Sequence, residues 1–523
     1  MLHAFSDNVR RIGGLPHGGI YYNAGRQQPA DVCLIIEGCY PYVSGGVSSW
    51  TDWLIRSQPD LTFEVVAILP NAPDSPPKYE APKNLRSVHH VFLFGDEPVM
   101  KEPKIKGAFN LQAFADAIFT LINTGSRQSL ERVICELQRS RRKYGSCSAF
   151  LNSEEAWHVV RLMYERSMPH ASFLDYYWGW RAVVGGIYAV LASPVPPARV
   201  YHTLSTGYAG LMAARVNIES GAPCLLTEHG IYTNERRIEV LMAPWLNGVV
   251  HHGLSPTDDR LDIREFWINS FESMGRACYE ATADIVTLYR ANKEMQQALG
   301  ADWWRQTVIP NGIDPSRFTA IERRPDRPPT IAFIGRVTPI KDVKTFIEAA
   351  QNVRKHYPDL RALVLGPTDE DPDYARECVE LVESLDLQDT VEFTGMVDIK
   401  DYFGEVDIVV LTSLSEAQPL IILEAGAAGI PCITTDVGSC RELLEGTPEE
   451  DPPFGPGGIV TDLVAPQKIA QAIVILLSDP DQCRAYGEAL RKRVCAHYRS
   501  DDVAGKYRDL YDKYIAGKQD PGV

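Results

Sequence analysis

Residues 406–426 read Val406-Asp407-Ile408-Val409-Val410-Leu411-Thr412-Ser413-Leu414-Ser415-Glu416-Ala417-Gln418-Pro419-Leu420-Ile421-Ile422-Leu423-Glu424-Ala425-Gly426. The run ending at Leu411 has the length and apolar character of a buried parallel strand. Ile421, Leu423, Ala425, Ala427 and Ala428 then suit a buried helix. Glu416 therefore falls at a strand's carboxyl end, with Glu424 roughly two helical turns further on. Open α/β sheets bind ligands at that end, where loops meet helix N-termini. A helix-capping role for Glu416 is the bland alternative, and the residues alone leave both open.

Outward from this stretch, strand and helix patterns alternate. Thr330–Arg336 opens a βα series whose first helix carries Val343, Phe346, Ile347, Ala350 and Val353 at helical spacing. Further strands are expected at 361–365, 390–393, 408–411 and 431–434. The polar, proline-rich stretch 322–329 reads as a linker. Upstream of it, an equivalent series begins with the strand Asp31–Glu37. A loop follows with the glycine pair Gly45-Gly46, then a helix with Trp50, Trp53 and Leu54, and a strand over 63–69. Strands resume at 198–202, 224–228 and 283–288, two of them carrying a histidine at the end, His202 and His229.

Between about 100 and 190 helical spacing dominates, as in Phe114, Ile118 and Leu121, or Leu130, Ile134 and Leu137. This region reads as a helical insertion. Its aromatic run Phe173–Trp180 reads as core or interface packing, or as an acceptor path, since aromatic faces suit sugars. The fold class expected is α/β, two doubly wound Rossmann-like domains facing across a cleft. The expected boundaries are an arm at 1–30, an N-terminal acceptor domain at 31–320, a C-terminal donor domain at 330–495, and a terminal helix at 496–523 packing back on the first domain.

The chain has 523 residues and a formal net charge of -16, from 52 basic and 68 acidic residues. That balance argues against nucleic acid or an anionic membrane as the main partner. An anionic ligand must then be held by local cations and backbone N–H groups. No basic-then-apolar leader opens the sequence and no apolar run approaches the ~18 residues of a membrane span, so a cytoplasmic location is expected. The 11 cysteines are dispersed without a C-x-x-C pair, so no zinc site or disulfide framework is indicated.

Gly335-Arg336-Val337-Thr338-Pro339-Ile340-Lys341-Asp342 puts a guanidinium and an ammonium after one strand. With a helix N-terminus behind them, Arg336 and Lys341 can hold one diphosphate. The acidic pair after a neighbouring strand then suits a nucleotide sugar, with Glu424 accepting from ribose hydroxyls and Glu416 from the sugar. G-x-G-x-x-G is missing after the first strand, which disfavours a dinucleotide oxidoreductase.

These motifs resemble the family-4 retaining glycosyltransferases of GT-B fold: the E-x7-E pair, G-R-V-T-P-I-K-D, I-P-N-G-I-D and the glycine pair. The loop E-G-C-Y-P-Y-V-S-G-G-V-S-S-W and the segment T-E-H-G-I-Y-T-N-E-R-R are similar to the PelF subgroup, the cytoplasmic enzymes of Pel exopolysaccharide biosynthesis. The resemblance implies catalytic roles for His229, Glu416, Arg336 and Lys341. It implies donor contacts from Gly45, Gly46, Pro419, Leu420 and Glu424, with His202, Asn311 and Gly395 as weaker candidates. It further implies a UDP-sugar donor, a polysaccharide acceptor and inner-membrane Pel synthase partners. A non-catalytic nucleotide-sugar-binding subunit of such a synthase is the alternative. Asp369-Glu370-Asp371-Pro372-Asp373 contains the D-x-D pattern of fold-A glycosyltransferases, yet sits in a proline-broken polar stretch and is expected to be a solvated turn. Arg336 and Lys341 already supply positive charge, so no metal or other cofactor is expected.

Overall fold

The computed structural model describes residues 28–38, 40–94, 109–242, 263–319, 321–322, 324 and 327–516. Of the arm expected at 1–30, only 28–30 lie within the described residues. These form two compact units. The first comprises the chain up to Thr287, Lys293–Thr307 and the chain from Tyr507; the second comprises Leu288–Asn292 and Val308–Lys506. The division is thus not a single cut at the proline-rich linker.

The first unit is built on seven strands: β1 (Ala30–Glu37), β2 (Phe63–Leu69), β3 (Leu85–Phe92), β4 (Ala198–Thr203), β5 (Cys224–Glu228), β6 (Asp284–Thr287) and β7 (Gln306–Val308). Their order is β3-β2-β1-β4-β5-β6-β7. Pairing is parallel from β3 through β6. β1 and β2 are the apolar runs the sequence displays, buried on both faces. β3 was not legible in the sequence, because Leu85-Arg86-Ser87-Val88-His89-His90-Val91-Phe92 is half polar. It lies at the sheet edge, where such a composition is tolerated.

Among the described residues, the 100–190 region forms five helices, Leu111–Asn123, Arg127–Tyr144, Cys147–Leu151, Glu154–Ser167 and Phe173–Ala192. Each begins where Asn110, Ser126, Ser146, Ser153 or Ser172 accepts a hydrogen bond from a first-turn backbone N–H. Their apolar faces are not a separate body. Phe114, Ile118, Leu121, Leu130 and Trp180 share one core with Cys33, Ile35, Val66 and Ile68 of the sheet.

The second unit holds β8 (Thr330–Ile334), β9 (Arg361–Leu365), β10 (Val391–Gly395), β11 (Ile408–Leu411), β12 (Cys432–Thr435) and β13 (Gly458–Thr461). The order is β10-β9-β8-β11-β12-β13, parallel throughout. The strand order therefore reverses between β8 and β11, and between β1 and β4 in the first sheet. Such switch points leave a crevice at the strands' carboxyl ends. Among the described residues, no helix is long and apolar enough to cross a membrane.

The acidic stretch 369–373 is solvated as expected, with Asp369, Glu370 and Asp373 exposed, but its last two residues belong to a helix. Pro372 opens the Pro372–Ser384 helix, and Asp371 caps it by accepting from the Tyr374 N–H at 3.0 Å. Proline is tolerated there because a first-turn N–H has no helical partner to lose.

Candidate functional site

Glu416, Lys341 and Arg336 all follow the two strands that flank the second switch point. The β11 loop is locked onto the β8 loop by short bonds. Leu414 N–H donates to the Ile340 carbonyl at 2.8 Å, and Thr412 Oγ1 donates to the Lys341 and Asp342 carbonyls at 3.0 and 2.9 Å. Close backbone packing supports the same loops. A Cβ on Gly366 would lie 2.0 Å from the Gly335 carbonyl oxygen, and one on Gly438 would lie 2.3 Å from that of Glu416. Both glycines also have positive φ, 152° and 54°, so no other residue fits cheaply.

Within this frame Lys341 Nζ donates to Glu416 Oε1 at 2.5 Å, and Ser413 Oγ donates to the same oxygen at 2.6 Å. The ammonium and carboxylate are mostly shielded, with 21% and 12% of their side chains exposed. Arg336 does not join them. Its Nη1 donates to both carboxylate oxygens of Glu370, at 2.5 and 2.6 Å. The acidic stretch thus supplies a partner for the expected donor-binding arginine, a role its sequence did not reveal.

Glu416 is not a helix cap. Pro419 is the cap residue of the Leu420–Ala427 helix, and among the described residues no side chain caps that helix. Its first-turn N–H groups are thus uncapped beside Glu416, and Leu420 in that turn is exposed. Glu424, on the same helix, is half-buried. Burial pushes its carboxyl up to about 7, moderated by Arg317 and reinforced by Asp398. Asn311 meets the β11 loop through its backbone, donating to Gln418 Oε1 at 2.6 Å. Among the described residues, Asn311 Oδ1, Thr338 Oγ1 and Ser439 Oγ are buried without a hydrogen-bond partner. Gly395 ends β10 at the sheet edge, away from the switch point, where its carbonyl accepts from Gly366 N–H.

In the first unit, Gly45 is the cap and Gly46 the first residue of the Gly46–Ser57 helix. A Cβ on either would meet nothing within 4 Å, so space alone does not demand glycine there. His229 follows β5 and lines a cavity of about 490 Å³ with Glu37, Tyr232, Glu235 and Arg236. Its ring packs edge-on to Trp50, centroids 4.6 Å apart, and burial lowers its pKa to about 4, which keeps it neutral near pH 7. Among the described residues His229 Nε2 has no hydrogen-bond partner.

His202 has no such freedom. Its Nδ1 lies 2.8 Å from Tyr511 Oη and its Nε2 2.9 Å from Thr227 Oγ1, inside the core. Both nitrogens are taken, so this histidine ties the C-terminal helix to β4 and β5 and has none left for a ligand. Sequence reading missed Glu37, whose Oε1 accepts from Tyr232 Oη at 2.7 Å. Burial raises its carboxyl above the usual range. Its place at the end of β1, matching Glu228 at the end of β5, was the available signal.

Two parallel sheets, each with a switch point, are the layout of the GT-B class, and solved structures agree. Sucrose-phosphate synthase from Thermosynechococcus elongatus has a TM-score of 0.57 at 17% identity, covering 93% of this chain and 100% of that one. HepE of Anabaena in complex with UDP has a TM-score of 0.54 at 12% identity, covering 92% and 99%. The chain belongs to the family described as Domain of unknown function (DUF3492), matched over residues 30–303, and its residues 328–479 match Glycosyl transferases group 1. It is 27% identical over 179 residues to the N-acetyl-alpha-D-glucosaminyl L-malate synthase of Bacillus anthracis, covering 34% of this chain and 44% of that protein. Over 199 residues it is 31% identical to the D-inositol 3-phosphate glycosyltransferase of Paenarthrobacter aurescens, covering 36% and 46%. The chain thus spans less than half the length of either relative.

Proposed function

We propose that this chain is a retaining, metal-independent glycosyltransferase that moves a sugar from a UDP-sugar, UDP-glucose or a UDP-N-acetylhexosamine, to a growing exopolysaccharide. The observation that carries this reading is the shielded Lys341–Glu416 pair beside an uncapped helix N-terminus at the switch point of the second sheet. An ammonium and open N–H donors on one crevice suit a diphosphate, and they stabilise the charge that develops as UDP departs. Glu424 accepts from the ribose hydroxyls and Glu416 from the donor sugar. Arg336 reaches the diphosphate by exchanging Glu370 for it. His229 bonds a sugar hydroxyl as a neutral imidazole. The HepE complexes, which hold UDP and UDP with glucose, support this choice of donor. Positive charge from Lys341 and Arg336 takes the place of a metal.

The sequence likeness to the PelF subgroup extends the reading to a Pel-type polymer, made at the cytoplasmic face of the inner membrane with synthase partners. UDP release from a panel of UDP-sugars, compared for the wild type, Glu416→Ala and Lys341→Ala, tests the activity. Loss of turnover in both variants is expected; equal turnover in all three overturns it.

A further inference from the structure

The cavity beside His229 has a neighbour in the first unit. A second cavity of about 400 Å³ adjoins it, and Leu93 and Phe94 line both. Its remaining wall comes from the helical insertion, including Ser148, Leu151, Trp178 and Arg181. The insertion therefore does more than pad the sheet core. It walls a second cavity beside the one at the carboxyl ends of β1 and β5.

The chemistry of this second wall is mixed in a particular way. Trp178 lies on the Phe173–Ala192 helix and is 58% exposed, although Trp180, two residues on, is almost fully buried. Arg181 is held in place: Nη1 donates to the Leu151 carbonyl and Nη2 to Asn152 Oδ1, both at 2.9 Å. Two of its five N–H groups are thereby used, and the planar fork is fixed for the others. An aromatic side chain and a fixed donor on one cavity wall suit a sugar ring, whose C–H face stacks on an aromatic and whose hydroxyl oxygens accept from the donor. An acyl chain needs an unbroken apolar wall, which Ser148 and Arg181 interrupt.

We propose that the second cavity is a saccharide subsite continuing the first, so that the chain takes an extended oligosaccharide, with Trp178 as stacking platform and Arg181 as its hydrogen-bond donor. The ligand class is a chain of neutral hexose or N-acetylhexosamine units. This rests on the glycosyltransferase reading, since the saccharide would be the acceptor. It goes further in making the insertion a reader of acceptor length.

The test is titration of the full chain with short and long oligosaccharides of glucose and of N-acetylglucosamine, followed by tryptophan fluorescence and ligand-observed NMR. Affinity rises with length for the wild type in at least one series. Trp178→Ala, and separately Arg181→Gln, weaken the long ligands about tenfold and flatten the length dependence. Trp303→Ala, which removes a still more exposed tryptophan elsewhere in the unit, leaves it intact. Length-independent binding by the wild type, or unchanged binding by both variants, overturns the proposal. So does binding to anionic lipid vesicles that Trp178→Ala abolishes, with no saccharide bound. A UDP titration of the wild type separates the two readings. UDP binding with a flat saccharide response removes the subsite alone, whereas absence of UDP binding removes the glycosyltransferase reading beneath it.

Discussion

Lys341 and Glu416, 75 residues apart in the chain, meet at 2.5 Å across the seam between the β8 and β11 loops. Each neutralises the other where neither is fully solvated. Replacing Lys341 by Ala leaves Glu416 with the Ser413 hydroxyl as partner and removes the cation paired with it. UDP affinity is expected to fall about 100-fold, the scale of a lost charge-assisted contact. Glu416→Gln keeps the shape and the Ser413 contact, so turnover is expected to fall while UDP affinity changes by less than about threefold. Calorimetric UDP titration and donor turnover read the two effects separately.

Glu424 makes the site pH-sensitive. Burial raises its carboxyl from 4.5 to about 7. Between those values the folded chain holds a proton that the unfolded chain has released, so the Glu424 contribution to stability falls as pH rises through this window. Glu424→Gln removes that penalty. The variant's advantage over the wild type is expected to grow between about pH 5 and 8, toward a ceiling of about 3 kcal/mol, in urea titrations at stepped pH. UDP affinity of the wild type runs the other way, rising as the carboxylate ionises, and Glu424→Gln flattens that rise.

The Arg336–Glu370 pair is about half exposed on both sides, so exchanging it for a diphosphate costs little. Glu370→Gln weakens the internal competitor. UDP is expected to bind about two- to fivefold more tightly. Salt dependence of UDP binding, measured alongside, rises because the freed arginine engages more of the phosphate charge. An unchanged affinity would mean the arginine never leaves Glu370.

Tyr511 reaches His202 from the C-terminal helix, with Tyr507 stacked near the same ring. Tyr511→Phe leaves a buried imidazole nitrogen without its partner at almost unchanged volume. A loss of about 1–3 kcal/mol is expected in denaturant titration. UDP affinity, assigned above by proposal to residues of the second unit, is expected to stay at the wild-type value.

Much of this protein was legible in its sequence. Apolar runs such as Leu34-Ile35-Ile36 and Ile408-Val409-Val410-Leu411 must be buried, and glycine, serine and proline mark the turns between them. Backbone burial and local periodicity are short-range properties, so most strands of the two sheets could be read from their residues, as could the placing of Glu416 after β11 and His229 after β5. The edge strands Leu85–Phe92 and Gly458–Thr461 escaped, the first because it is half polar and the second because it is four residues long and opens on glycine. The helix at Pro372 escaped because its proline stands in the first turn, where it does no harm.

What only the tertiary structure decided is which partner each charged or polar group takes. Arg336 and Lys341 look alike in the sequence, yet one is held by Glu370 and the other by Glu416. His202 and His229 stand at equivalent strand ends, yet the first is consumed by Tyr511 and Thr227 and the second lines a cavity. Those choices are made by side chains brought together from distant parts of the chain. Ion pairs and hydrogen bonds act over a few ångströms in space, whatever the separation in sequence, so local pattern carries no record of them.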